Sequence, residues 1–150
     1  MLDTLHRSTS LQRVLFVSQR QAEVMRPPRR SALISITDPR KPEAALLEGW
    51  SEVLRLKFDD VDPVTFPGQD THLSVITSSQ VAAIAAFVAT HSKVSIRLVV
   101  HCRHGVSRSA AVAKAAAESL GVPFPPDYDE YNQFVYLSLR KVIRHAVTEA

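Results

Sequence analysis

The sequence predicts an α/β fold: one three-layer domain over residues 1–150, with a mainly parallel sheet of four or five strands and helices on both faces. Three observations predict it. Short β-branched, apolar runs alternate along the chain with segments of helical period. Residues Ile96 to Val100 form an uninterrupted apolar run, as a strand buried on both faces requires. At 150 residues, 45% apolar and 22% charged, the chain has the size and composition of one core.

Taken in order, Val14 to Val17 is the first strand, followed by a short polar helix from about Gln19 to Met25. The prolines of Arg26-Pro27-Pro28-Arg29-Arg30 end that helix, because neither can sit inside one. Ala32 to Ile36 reads as a buried strand stopped by Asp38-Pro39, and Glu43 to Glu48 as one or two helical turns ending at Gly49. Val53 to Phe58 alternates apolar with basic residues and reads as the third strand. After the acidic segment 59–62 and a loop through Pro67 and Gly68, Thr77 and Gln80 have the spacing of a capping box. Val81, Ile84, Ala85 and Val88 then fall on one face of the helix it opens. The Ile96–Val100 strand leads through a loop into an alanine-rich helix that Gly121 terminates after Leu120. A proline-rich turn precedes a last helix from about Asn132 to Ala146, with Val135, Leu139, Val142, Ile143 and Ala146 facing inward.

Composition excludes several classes of function. No apolar run reaches the ~20 residues that cross a bilayer, and the opening MLDTLHRSTS lacks the apolar core of a secretory signal. No membrane partner is expected. One cysteine leaves no internal disulfide, in keeping with a reducing, cytoplasmic setting. A formal charge of +3 is too small to argue for nucleic acid, and the Arg26 to Arg30 cluster reads as solvated surface.

The single cysteine sits at the C-terminal end of the most apolar strand, at a strand-to-helix turn, where open α/β sheets place their ligands. The segment runs His101-Cys102-Arg103-His104-Gly105-Val106-Ser107-Arg108-Ser109. A loop at this junction can turn its N–H groups inward as an anion cradle, and the first turn of the helix adds donors and partial positive charge. Gly105 supplies a position free of Cβ sterics. Arg108 can present two parallel N–H donors to a tetrahedral oxyanion, which lysine cannot. Donors and cations of this kind favour a thiolate over a thiol, and a thiolate among phosphate-sized donors is a nucleophile placed for attack on phosphorus. Ser109 is positioned to donate its hydroxyl to that sulfur. His101 is expected beneath the loop, holding its backbone or tuning Cys102. A metal centre at His101, Cys102 and His104 is disfavoured, because adjacent residues at a strand end point in opposite directions and no CxxC or HxxxH partner exists.

His101-Cys102, five intervening residues, then Arg108-Ser109 resembles the signature of the cysteine-dependent protein tyrosine phosphatases. As it stands, HCRHGVSRS is most similar to the dual-specificity branch and its small bacterial relatives. The motif covers nine residues, and the order of strands and helices fits that family over most of the chain. The resemblance implies a dual-specificity phosphatase-like fold and hydrolysis of a phosphomonoester through a phosphocysteine intermediate, with no metal or other cofactor. It implies that Arg103, His104, Gly105, Val106, Ser107 and Arg108 form the phosphate loop, and that a phosphorylated protein or small phosphomonoester is the substrate. The family also carries an aspartate on a loop after an earlier strand, as general acid. By resemblance Asp60, the second aspartate after the third strand, takes that place, with Asp59 and Asp62 as alternatives. The same loop would serve a phosphatase of phosphoinositides or of RNA 5′ ends, or a catalytically inactive phosphate-binding module. A rhodanese-like sulfurtransferase is disfavoured by the Cys-to-Arg spacing.

Overall fold

The computed structural model describes residues 13–68, 72–94 and 96–150. The N-terminal stretch read for a secretory signal, and residues 69–71 of the loop after Gly68, lie outside them. In chain order the described elements are β1 (Val14–Ser18), α1 (Gln19–Val24), β2 (Ser31–Thr37), β3 (Glu52–Lys57), α2 (Ser78–Ser92), β4 (Arg97–Cys102), α3 (Arg108–Leu120) and α4 (Gln133–Glu149). The four strands form one sheet in the order β1-β4-β2-β3, and every pairing is parallel. The fold is therefore α/β, with helices on both faces.

Strand alternation decides which side chains meet which layer. On β4, Leu98, Val100 and Cys102 join Ala32, Ile34 and Ile36 of β2 in the large core, beneath α2, α3 and α4. Val99 and Leu33 point the other way, to a smaller cluster with Ala22 of α1, partly covered by Leu46 and Trp50. Every residue of β2 is buried, as expected of a strand with a helical layer on each side. Among the described residues no helix is long and apolar enough to cross a membrane.

The helix ends follow local chemistry. Thr77 and Gln80 form the expected capping box on α2, and Ser18 with Gln21 forms a second on α1. Gly121 closes α3 in the left-handed conformation at φ 68°. The buried face of α3 is almost entirely alanine, at 110, 111, 113, 115, 116 and 117, with Val112.

Two expectations are corrected. Glu43 to Glu48 is irregular rather than helical. Distant side chains take the backbone groups that a helical turn would use: Glu23 accepts from the Ala45 N–H, and Arg55 donates to the Ala44 carbonyl. Val142 is 41% exposed, not inward-facing. The buried stripe of α4 is the narrow i, i+4, i+8 row Val135, Leu139 and Ile143, with Ala146 half-buried beyond it.

Candidate active site

The C-terminal ends of β1, β2 and β4 converge at the 103–107 loop. Its carbonyls are tied outward: Gln19 N–H donates to Arg103 O, Tyr128 O–H to Val106 O, and the Ala111 and Asn132 N–H groups to Ser107 O. The backbone N–H groups of residues 103–107 donate to no protein acceptor among the described residues. Donors left unspent by the protein are what an anion-binding nest requires. Gly105 makes this curvature possible at φ 69°. A Cβ there would lie 2.4 Å from Ser18 N and 2.5 Å from the Val17 carbonyl carbon, so loop and β1 touch backbone to backbone.

Cys102 is 2% exposed, and its Sγ lies 3.1 Å from Ser109 Oγ in the first turn of α3. Above it is a cavity of about 250 Å³ lined by Asp60, Cys102, His104, Val106, Ser107 and Arg108. The guanidinium of Arg108 is buried and held from one corner: Nη1 donates to Asp38 Oδ1 at 2.8 Å and to Phe58 O at 2.7 Å. Its Nε is buried without a partner. A buried unpaired donor is costly in a resting protein and marks a place where an acceptor belongs.

Of the three aspartates after β3, one faces this cavity. Asp60 Oδ1 accepts from Ser107 Oγ and from Asn132 Nδ2, both at 2.8 Å, so one oxygen is fixed and the other carries no bond among the described residues. Asp59 is buried and accepts from Arg40 and from the Ser74 N–H. Asp62 is buried and accepts from Thr65 and from the Gln133 and Phe134 N–H groups at the start of α4. Burial pushes both of these carboxyls up, and the hydrogen bonds outweigh it, so both stand below the ordinary carboxylate range. Asp60, Val106 and Ser107 also border a cleft of about 370 Å³, flanked by Phe66, Asp129, Glu130 and Tyr131.

His101 lies on the opposite face of β4 from Cys102. It is fully buried, with Nε2 2.6 Å from Ser35 Oγ, its direct neighbour across β2. Nδ1 makes a long 3.5 Å contact with the Cys102 carbonyl. A carbonyl only accepts, so that contact puts the proton on Nδ1 and leaves Nε2 to accept from Ser35. Burial holds the imidazole below its usual range and hence neutral. The Arg103 side chain is 58% exposed and turned away from the sulfur, 3.7 Å from Asp38.

Sequence reasoning missed three participants. Asp38 was read as a strand stop, yet its carboxylate anchors Arg108. Asn132, at the expected start of the last helix, caps it, and its amide also fixes Asp60 and donates to the Val61 carbonyl. Tyr128 braces the loop through Val106. Only the cap has a local signal.

No family model matches the chain, and no curated protein matches it. Among solved structures it is similar to the crystal structure of a human tyrosine phosphatase-like serine/threonine/tyrosine-interacting protein. The two are 16% identical, with a TM-score of 0.49, over 90% of this chain and 89% of that one.

Proposed function

We propose that the protein is a cysteine-dependent phosphomonoester hydrolase of the dual-specificity phosphatase kind. The observation that carries this reading is the Arg108 guanidinium, anchored by Nη1 and buried with Nε unpaired beside the Cys102 cavity. In the first step the Cys102 thiolate attacks phosphorus. The bond from phosphorus to the leaving oxygen breaks, and that oxygen takes the proton of the Asp60 carboxyl group. In the second, water attacks the phosphocysteine, Asp60 accepts its proton, and the S–P bond breaks to return the thiolate. Arg108 and the loop N–H groups hold the three equatorial oxygens throughout, and the Ser109 hydroxyl stabilises the departing sulfur. Catalysis is positioning plus fixed donors, supplied by the protein alone.

The test is turnover of para-nitrophenyl phosphate and of aryl phosphates with poorer leaving groups, in the presence of a chelator. Activity is expected to persist in the chelator. Cys102→Ser should abolish turnover while retaining phosphate binding, and Arg108→Ala should lose both. Asp60→Ala should slow poor leaving groups on the order of 100-fold and good ones little. If Asp59→Ala or Asp62→Ala gave that leaving-group dependence instead, the assignment of the acid would be wrong. A folded wild type that hydrolyses none of these esters sinks the reading.

A further inference from the structure

Beside the Cys102 cavity lies a second one, of about 360 Å³, whose wall includes Arg20, Lys41, Arg103, Glu23 and Asp38. It is joined to the phosphate loop twice: Arg103 follows Cys102 in the chain, and Asp38 is bonded to Arg108. Of its two carboxylates one is neutralised by an ion pair, and the other is held by neutral donors and stays charged, so three cations face one uncompensated anion. Asp38 is paired with Arg108, and Glu23 accepts from the Ala45 N–H at 2.9 Å and from Gln19 Nε2 at 3.1 Å. Arg20 and Lys41 are exposed and form no ion pair among the described residues, and Arg103 reaches only the 3.7 Å contact to Asp38. The cleft that shares Asp60, Val106 and Ser107 with the Cys102 cavity has the opposite character, with Asp129 and Glu130 both exposed.

We propose that Arg20, Lys41 and Arg103 form a second anion subsite, which selects substrates carrying another phosphate or carboxylate group near the phosphoryl group being cleaved. As substrate selection this rests on the phosphatase reading, whereas anion binding by the subsite does not. The acidic cleft repels a second anion and the basic cavity attracts it, so the pair orients the substrate across the mouth. One chemistry serves two sources here: a small bisphosphate, or a phosphopeptide with acidic neighbours.

The experiment compares kcat/KM for phenyl phosphate, a bisphosphorylated benzene, and phosphopeptides flanked by glutamates or by lysines, in the wild type and in R20Q/K41Q. Each anion-bearing substrate that uses the subsite should exceed its neutral or lysine-flanked counterpart by about tenfold in the wild type. In R20Q/K41Q that preference should fall to within about twofold, with phenyl phosphate turnover unchanged. A response in the benzene pair alone assigns the subsite to small bisphosphates, and one in the peptides alone to acidic flanks. No preference in either arm, or a preference that survives R20Q/K41Q, overturns the proposal. Inorganic phosphate titrated against amide chemical shifts separates the two readings. Two sites are expected, one lost in Arg108→Ala and the other in R20Q/K41Q. If the second site is present but no ester is turned over, the phosphatase reading has failed and the subsite stands. A single site, kept in R20Q/K41Q, sinks the subsite whatever the turnover.

Discussion

Asn132 shows how one side chain can serve fold and chemistry at once. Its Oδ1 accepts from the Val135 N–H at the start of α4, while its Nδ2 donates to Asp60 Oδ1 and to the Val61 carbonyl. The two functions are separable by substitution. Asn132→Asp keeps the capping oxygen but sets a carboxylate oxygen in the buried place of the donor, against Asp60 Oδ1 and the Val61 carbonyl, so stability should fall by about 1–3 kcal/mol. In the proposed mechanism, Asp60 would then be held by Ser107 alone and less well aimed at the leaving oxygen, and the rate penalty should grow as the leaving group worsens. Asn132→Ala should lose both the cap, worth about 1 kcal/mol, and the aim. Leaving-group slopes and urea midpoints for the two variants check this. A purely structural Asn132 would leave the slope of Asn132→Asp unmoved.

At the scale of elements, the junction of β1 with the 103–107 loop is a backbone-to-backbone contact. Gly105→Ala would place a methyl group 2.4 Å from Ser18 N, at a positive φ that alanine rarely adopts. The loop or β1 must then move. The expected result is a loss of about 1–3 kcal/mol in stability, measured by denaturant midpoint, together with a fall in phosphate-ester turnover larger than tenfold. What was legible in the sequence follows the same division between near and far. Strands with their alternation, the Thr77–Gln80 cap and the Gly121 stop are set by neighbours within four residues. Residues 101–109 are contiguous, so their nearness needs no fold to be seen. Asp38 and Arg108 are 70 positions apart, and no local pattern says that they meet. Glu43 to Glu48 departs from its sequence pattern for the converse reason. It has the composition of a helix, but Glu23 and Arg55 supply its backbone with partners from elsewhere.

For the molecule as a whole, acid should destabilise the fold in two stages. The native His101 imidazole titrates below its usual range, so from about pH 6.5 downward the unfolded chain binds a proton that the folded one refuses, and stability falls. Asp59 and Asp62 titrate below the ordinary carboxylate range when folded. Their contribution is intact above about pH 5 and is lost as pH drops through their native values. Urea midpoints at pH 7.5, 5.5 and 3.5 should decline at each step, and His101→Gln should flatten the first decline only. A curve flat between pH 7 and 5 would contradict the buried neutral imidazole. The alanine face of α3 has a further consequence. A helix seated on methyl groups lies close against the sheet and leaves no slack, and this one carries Arg108 and Ser109 in its first turn. Enlarging Ala113 or Ala116 would push Arg108 and Ser109 along with the backbone, so thermal robustness and the proposed phosphatase rate are expected to decline together there. Anyone wishing to harden this protein should work at its rim, on exposed Val24 or Val142, where bulk can change without disturbing the centre.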